Sequence, residues 1–214
     1  MLTVKRFTFN PLQENTYIVY NEHGHCIIVD PGCYFPEECN ELKNYIQQQR
    51  LSPKTLLNTH CHLDHIFGNA FIHDTYGLPL HLHRNEKTVL EHGPATGKMY
   101  GLPFINYSGE LIYIDERDTI AIGEESLRIL FTPGHSPGSL SFYNADHKFV
   151  LSGDVLFRES IGRTDLPGGN FETLINSIQT SLWPLPDDVV VYSGHGPETT
   201  IGYEKVANPF LKNR

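Results

Sequence analysis

The sequence is short of several features that would have assigned it elsewhere. No apolar run approaches the roughly 18 residues of a membrane span. Nothing of signal-peptide character follows the charges of Met1-Leu2-Thr3-Val4-Lys5-Arg6, so a cytoplasmic protein without a membrane partner is expected. Basic residues are scarce: 16 Lys and Arg stand against 25 Asp and Glu, a formal net charge of −9. No Lys/Arg cluster is available to neutralise phosphates, which argues against nucleic acid as the main partner and against an anionic lipid surface. Cys26, Cys33, Cys39 and Cys61 include no C-x-x-C pair, so neither a zinc knuckle nor a thioredoxin-type motif is signalled. A disulfide among the first three is open on spacing, and reduced thiols are expected in the cytosol. Low-complexity segments, linkers and exact repeats are also missing. The 214 residues are therefore read as a single domain, 1–214, large enough to bury a core without staples.

Histidine, by contrast, is abundant, with 12 copies. It is the side chain best suited to ligate borderline metals near neutral pH.

Hydrophobic patterning predicts strands over Leu2–Phe9, Thr16–Tyr20, His25–Val29 and Thr55–Leu57 in the first third. Helices are predicted over 36–49, 66–76 and 84–91, and a strand over Leu78–His83. Residues 93–110 carry Gly93, Pro94, Gly97, Gly101 and Pro103 and read as a long loop. Strands follow at Leu111–Ile114, Thr119–Ile122, Leu127–Phe131, Ser139–Tyr143, Phe149–Leu151 and Val189–Tyr192. Further helices are predicted over 171–182 and, as a single turn, 203–207. Two runs of strands, each mixed with helices, imply two sheets with helices outside them.

The densest chemistry lies in Thr59-His60-Cys61-His62-Leu63-Asp64-His65. His60 and His62 are two apart, so on extended backbone they share one side, and Cys61 alternates away from it. Asp64 and His65 open the next helix, where neighbouring side chains diverge. They cannot easily serve the same ion as the first pair, and two neighbouring metals are implied. Three more candidates end apolar strands in glycine-containing turns: His135 in Pro133-Gly134-His135, Asp154 in Gly153-Asp154 and His195 in Gly194-His195-Gly196. Two sites of about three protein ligands each, sharing one carboxylate, would use all seven. Two divalent ions with Asp64, Asp154 and a hydroxide leave a net charge of about +1, suited to an oxyanion or anionic substrate. His81-Leu82-His83 has the same H-x-H spacing but reads as half-buried strand histidines, and His73 as a packing or surface residue.

The run from His60 to His65, with His135, Asp154 and His195 in order, resembles the metallo-β-lactamase superfamily. The likeness extends from Val29-Asp30-Pro31-Gly32 to Asn208-Pro209-Phe210. It implies an α/β fold, an αββα sandwich with two mixed β-sheets and helices on the outer faces. It implies that His60, His62 and His135 hold one metal, that Asp64, His65 and His195 hold a second, and that Asp154 bridges. Asp64 and Asp154 are the implied catalytic carboxylates. Asp30 is similar to the family carboxylate that orients a ligand histidine. Within the superfamily the chain is most similar to glyoxalase II-like hydrolases, through Gly153-Asp154-Val155-Leu156-Phe157 and Gly162-Arg163. The resemblance gives Arg163 a contact with the glutathione part of a substrate. Thr164-Asp165-Leu166 replaces the aromatic usual after that basic residue, and the length matches the short bacterial branch that lacks a helical C-terminal domain. Gly162-Arg163-Thr164-Asp165 also resembles persulfide dioxygenases, which use a single iron held by two His and one Asp.

The expected activity is hydrolysis of a small-molecule thioester by water activated on two divalent ions, zinc first, with iron or manganese as alternatives. A thiolate leaves without strong acid help, and the sequence offers no obvious Ser or Lys proton donor for a lactam nitrogen, which mildly favours a thioester. The alternatives are an iron-dependent persulfide dioxygenase and a lactonase or other hydrolase of the same superfamily.

Overall fold

The computed structural model describes residues 1–212. They divide into two compact units. One comprises Met1–Ile114 with Ala121–Ser126, and the other Asp115–Ile120 with the chain from Leu127 on.

The first unit is built on a six-stranded mixed sheet of order β1-β2-β3-β4-β5-β6. The hairpin β1 (Thr3–Phe9) and β2 (Glu14–Tyr20) runs antiparallel from Thr3↔Tyr20 to Phe9↔Glu14. After β3 (His25–Val29) the connections become crossovers, so β3, β4 (Ser52–Leu57), β5 (Leu80–Leu82) and β6 (Leu111–Tyr113) are parallel. The crossovers are α1 (Pro36–Gln48), then α2 (Leu63–Ile66) with α3 (Asn69–Tyr76), then α4 (Lys87–Met99). Ile18, Ile28, Leu42, Leu56, Ile66, Ile72 and Leu80 fill the core. Parallel strands end at the same sheet edge. The segments leaving β3 and β4 therefore meet there, with Asp30 N–H donating to Leu57 O at 2.9 Å. Ligands follow at such carboxyl ends as a rule in mixed α/β sheets.

The second sheet has the order β14-β13-β10-β9-β8-β7. Its strands are β7 (Thr119–Ile122), β8 (Glu125–Phe131), β9 (Leu140–Asn144), β10 (Phe149–Gly153), β13 (Val190–Ser193) and β14 (Thr199–Thr200). A two-stranded hairpin, β11 (Leu156–Phe157) and β12 (Ser160–Ile161), was not foreseen; its strands are too short to show a period. The helices are α5 (Phe171–Ser177), prolonged by a π turn over Ile178–Leu182, and α6 (Ile201–Ala207). β10 is buried along its whole length and pairs in parallel with β13. Their carboxyl ends coincide, with Gly194 N–H donating to Gly153 O at 2.9 Å. This brings the residues after each strand, Asp154 and His195, side by side.

The first part of the predicted loop 93–110 is helical, up to Met99. Residues 87–99 form α4 despite Pro94 in its interior. Pro94 has no N–H for the Leu90 carbonyl four residues back, a defect that normally breaks a helix. Here the Asn106 side-chain amide supplies the missing donor, at 2.7 Å from Leu90 O. Gly93 and Gly97 mark close packing, not chain reversal. A Cβ at Gly93 would stand 2.8 Å from Ile66 Cδ1, and one at Gly97 would stand 2.6 Å from Leu102 O.

Candidate metal centre

The first unit gathers four of the seven proposed ligands on one short segment. His60 lies in the segment after β4, and His62 (φ −66°, ψ 153°) is the residue before α2. Asp64 and His65 occupy the only turn of α2. The His60 ring lies 4.8 Å from that of His62 and 4.1 Å from that of His65, centroid to centroid. Asp64 Oδ2 is 3.7 Å from His65 Nε2. His60 and His65 are fully buried, whereas His62 keeps partial exposure. Cys61 points the other way, into the core, and burial pushes its thiol far above the usual range.

Asp30 organises this segment. Held at φ +49°, it accepts from Thr59 N–H at 2.7 Å, Thr59 Oγ1 at 2.6 Å and Asn58 Nδ2 at 3.3 Å. Its Oδ2 is also 3.1 Å from His65 Nδ1. An ionised carboxylate only accepts, so the His65 proton sits on Nδ1 and the Nε2 lone pair is presented to a metal. His60 follows the same logic one step on. The Thr59 hydroxyl donates to Asp30, so its lone pair receives His60 Nδ1–H at 3.1 Å. Two candidate ligand histidines thus have their tautomers fixed by one buried aspartate.

Two further buried acids support the segment. Glu86 Oε2 accepts the Cys61 N–H at 2.7 Å and pins the main chain between His60 and His62. Glu14 stands with Oε1 3.8 Å from His65 Nδ1, and burial raises its carboxyl well above the ordinary glutamate value. Neither was singled out in the sequence. Each is a lone glutamate whose partner lies far along the chain, and no spacing marks it.

The second unit brings together the other three. His135 stands in the turn after β8, Asp154 follows β10 and His195 follows β13. Asp154 Oδ2 lies 3.5 Å from His135 Nε2 and 3.6 Å from His195 Nε2. Two donors about 2.1 Å from one ion at a tetrahedral angle are about 3.4 Å apart. Both separations match ligands of a shared ion better than hydrogen bonds. His135 Nδ1 is 2.7 Å from the Arg163 carbonyl oxygen, which only accepts, so His135 too presents Nε2. The Phe157 ring stands edge-on to His195 at 6.2 Å. These imidazole and carboxylate donors, with the tautomers of His60, His65 and His135 set, are of the kind that fits a divalent ion.

Arg163 contributes its main chain to this arrangement. Its guanidinium is exposed and forms a bidentate pair with Asp165, both contacts at 2.7 Å. That pairing holds the Asp165 carboxyl down at about 2. The other histidines singled out in the sequence make other contacts. His81 Nδ1 lies 3.2 Å from Leu56 O, His83 Nδ1 accepts from Asn85 N–H, and His73 Nδ1 is 2.8 Å from Leu78 O.

Two mixed sheets with imidazole and carboxylate donors at their carboxyl strand ends define a protein built for metal-assisted chemistry. The chain belongs to the metallo-β-lactamase superfamily, whose sequence model matches residues 9–195, and it has that superfamily's fold. The superfamily is one of dinuclear metallo-hydrolases. Among relatives, the chain is 41% identical to the probable metallo-hydrolase YqgX of Bacillus subtilis, over 97% of this chain and 96% of that protein. It is 36% identical to the hydroxyacylglutathione hydrolase GloC of Haemophilus influenzae, over 94% of each. Among solved structures, the BLEG-1 B3 metallo-beta-lactamase superposes with a TM-score of 0.89 at 38% identity, covering 99% of this chain and all of that one. TTHA1623 in a di-iron-bound form gives 0.88 at 36% identity, covering 97% of this chain and all of that one.

Proposed function

We propose that the chain is a thioester hydrolase acting on acyl-glutathione or a related small thioester. Two divalent ions would be held by the seven candidate ligands, His60, His62 and His135 for the first and Asp64, His65 and His195 for the second, with Asp154 as the shared ligand. Zinc suits these donors, as do iron and manganese, and the similar TTHA1623 has been solved in a di-iron-bound form.

When bound, such a pair lowers the pKa of water toward 7 and polarises a carbonyl oxygen. The chain's own residues supply the rest. Asp30 and Thr59 hold His65 and His60 with Nε2 forward, and the Arg163 carbonyl does the same for His135. Arg163 turns from Asp165 to an anionic group of the substrate when one is present. The leaving thiolate, with a pKa near 8.5, needs no strong acid from the protein.

The observation that carries this reading is the second donor set. Asp64 and His65 are buried, and His65 is oriented by Asp30. A second ion at these residues would put that preparation to use. The 36% identity to a hydroxyacylglutathione hydrolase supports the thioester class. The test is thiol release from a panel of acyl-glutathione thioesters by metal-replete protein in the absence of oxygen. Fast release that stops on chelation supports the reading. Protein that carries metal, releases no thiol and consumes oxygen with a persulfide would replace it with the dioxygenase reading.

A further inference from the structure

The closing run Asn208-Pro209-Phe210 lies outside the candidate metal centre, yet its asparagine is fully buried, as is Glu204 one turn earlier in α6. Both side chains reach the β11–β12 hairpin. Glu204 Oε2 accepts the Glu159 N–H at 2.9 Å and Asn208 Nδ2–H at 2.8 Å, while Oε1 accepts from the Thr199 hydroxyl. Asn208 Nδ2 also donates to Ser160 O at 3.0 Å. Two buried side chains thus hold the main chain at the turn of the hairpin. On the outer side the Tyr203 hydroxyl donates to Glu159 Oε1, and the Arg158 guanidinium lies 5.1 Å from the centre of the Tyr203 ring.

The turn needs this support. It is made of Arg158 and Glu159, and Glu159 stands at φ +58°. Two-residue hairpin turns reach positive φ most readily with Asn or Gly. A glutamate in that conformation persists only where its surroundings fix it. Both strands of the hairpin lead to the candidate ligands of the second unit. β11 follows directly on Asp154 and Val155, and its Phe157 ring is the one that stands edge-on to His195 at 6.2 Å. β12 runs into Gly162 and then Arg163, whose carbonyl oxygen lies 2.7 Å from His135 Nδ1. Gly162 leaves no slack there, since a Cβ would stand 1.9 Å from Asp154 O and 3.2 Å from His135 Cβ. The hairpin is therefore tied to all three candidate ligands at one end and to α6 at the other.

We propose that Glu204, with Asn208 beside it, is a positioning residue of the metal centre, holding the β11–β12 hairpin so that the Arg163 carbonyl meets His135 and the Phe157 ring backs His195. This role depends on the reading of His135, Asp154 and His195 as metal ligands. The path is short. Glu204 fixes the main chain at Glu159, and Asn208 fixes it at Ser160. Three residues beyond Ser160, the Arg163 carbonyl keeps the His135 proton on Nδ1 and leaves Nε2 for an ion. Without the Glu204 acceptor, the Glu159 N–H and the Asn208 amide lose their buried partner. The turn then has nothing to hold its left-handed residue, and the Arg163 carbonyl no longer selects one tautomer of His135. Glu204 acts through the hairpin, from nine residues beyond His195 in the sequence.

The test compares the full chain with its Glu204→Ala variant, first metal-free at about pH 8, where a free imidazole is neutral. Nitrogen-15 signals of the histidine rings report which nitrogen carries the proton, and His135→Gln identifies the His135 signal. The wild type should show His135 protonated on Nδ1, and Glu204→Ala should show an average of both tautomers. Cobalt titration against a chelator should then give an affinity at least about tenfold weaker in Glu204→Ala. Glu204→Gln should restore both readouts, because its carbonyl keeps the Glu159 and Asn208 donors while its NH2 faces the Thr199 hydroxyl, which can turn and accept. If Glu204→Ala does not fold, Asn208→Ala takes its place and frees the Ser160 carbonyl instead. A folded variant with a lower Tm but the wild-type ring signal and cobalt affinity would make Glu204 a packing residue and overturn the proposal. A wild type that binds no cobalt, yet keeps the tautomer that Glu204→Ala loses, would count against the metal-ligand reading alone and uphold the link from Glu204 to His135.

Discussion

Replacing Asp30 by Asn should weaken metal binding at the His65 site without unfolding the protein. The carboxylate is 2% exposed and faces donors on both oxygens. Oδ1 takes Thr59 N–H at 2.7 Å and Asn58 Nδ2 at 3.3 Å, and an asparagine oxygen can keep both. Oδ2 lies 2.6 Å from Thr59 Oγ1 and 3.1 Å from His65 Nδ1, and there the amide NH2 would replace it. The threonine hydroxyl can turn and accept. His65 must either oppose one N–H with another or move its proton to Nε2, the atom that faces the metal. A buried donor without an acceptor costs about 1–3 kcal/mol. At 1.4 kcal/mol per decade that is roughly 5- to 150-fold in affinity, in line with the 10–100-fold typical when a ligand's supporting carboxylate is changed. Asp30→Ala is the blunter variant. It strips acceptors from every donor at once and should cost more than about 3 kcal/mol of folding stability. The assay is zinc titration of metal-free Asp30→Asn against a chelator of known affinity, with Tm measured beside it. A variant that folds and holds both ions as tightly as the wild type would refute the tautomer argument.

Four other outcomes follow from the same contacts. Asp154→Ala should lose metal and abolish turnover, since it removes the oxygen shared by His135 and His195; full turnover with two ions retained would end the bridging assignment. Glu86→Ala should lower Tm and metal affinity by exposing the Cys61 N–H to a cost of about 1–3 kcal/mol, whereas Glu86→Gln keeps an acceptor and most of both; equal losses would mean that charge, not the hydrogen bond, matters. Asn106→Ala should cost about 1–2 kcal/mol in denaturant unfolding, and much less in a Pro94→Ala background, where residue 94 can supply the helical N–H to Leu90 O itself. Arg163→Ala should raise KM for glutathione thioesters more than for small uncharged ones, and an identical effect on both classes would remove it from the substrate site.

Most of the candidate site was legible as a set of candidates because its chemistry is concentrated. Six consecutive residues hold four donors, and the other three each end an apolar strand at a glycine. Asp30 could be found the same way, as a carboxylate closing β3. What escaped was support from a distance. Glu86 reaches Cys61 from 25 residues away and Glu14 approaches His65 from 51, and neither glutamate differs in sequence from a surface residue. The misread loop has a similar cause. Pro94 and two glycines argue against a helix on propensity alone, and only the tertiary contacts of Asn106 and Phe104 reverse the balance. The fold class survived these local errors. It rests on two runs of apolar strands with helices between them, a pattern that one misplaced helix does not change.

The most direct measurement is thiol release by metal-free protein as zinc or ferrous ion is added stepwise, with an acyl-glutathione substrate and no oxygen. The account predicts that activity climbs to a break at two ions per chain. A break at one ion, with turnover appearing only when oxygen and a persulfide are supplied, would contradict it.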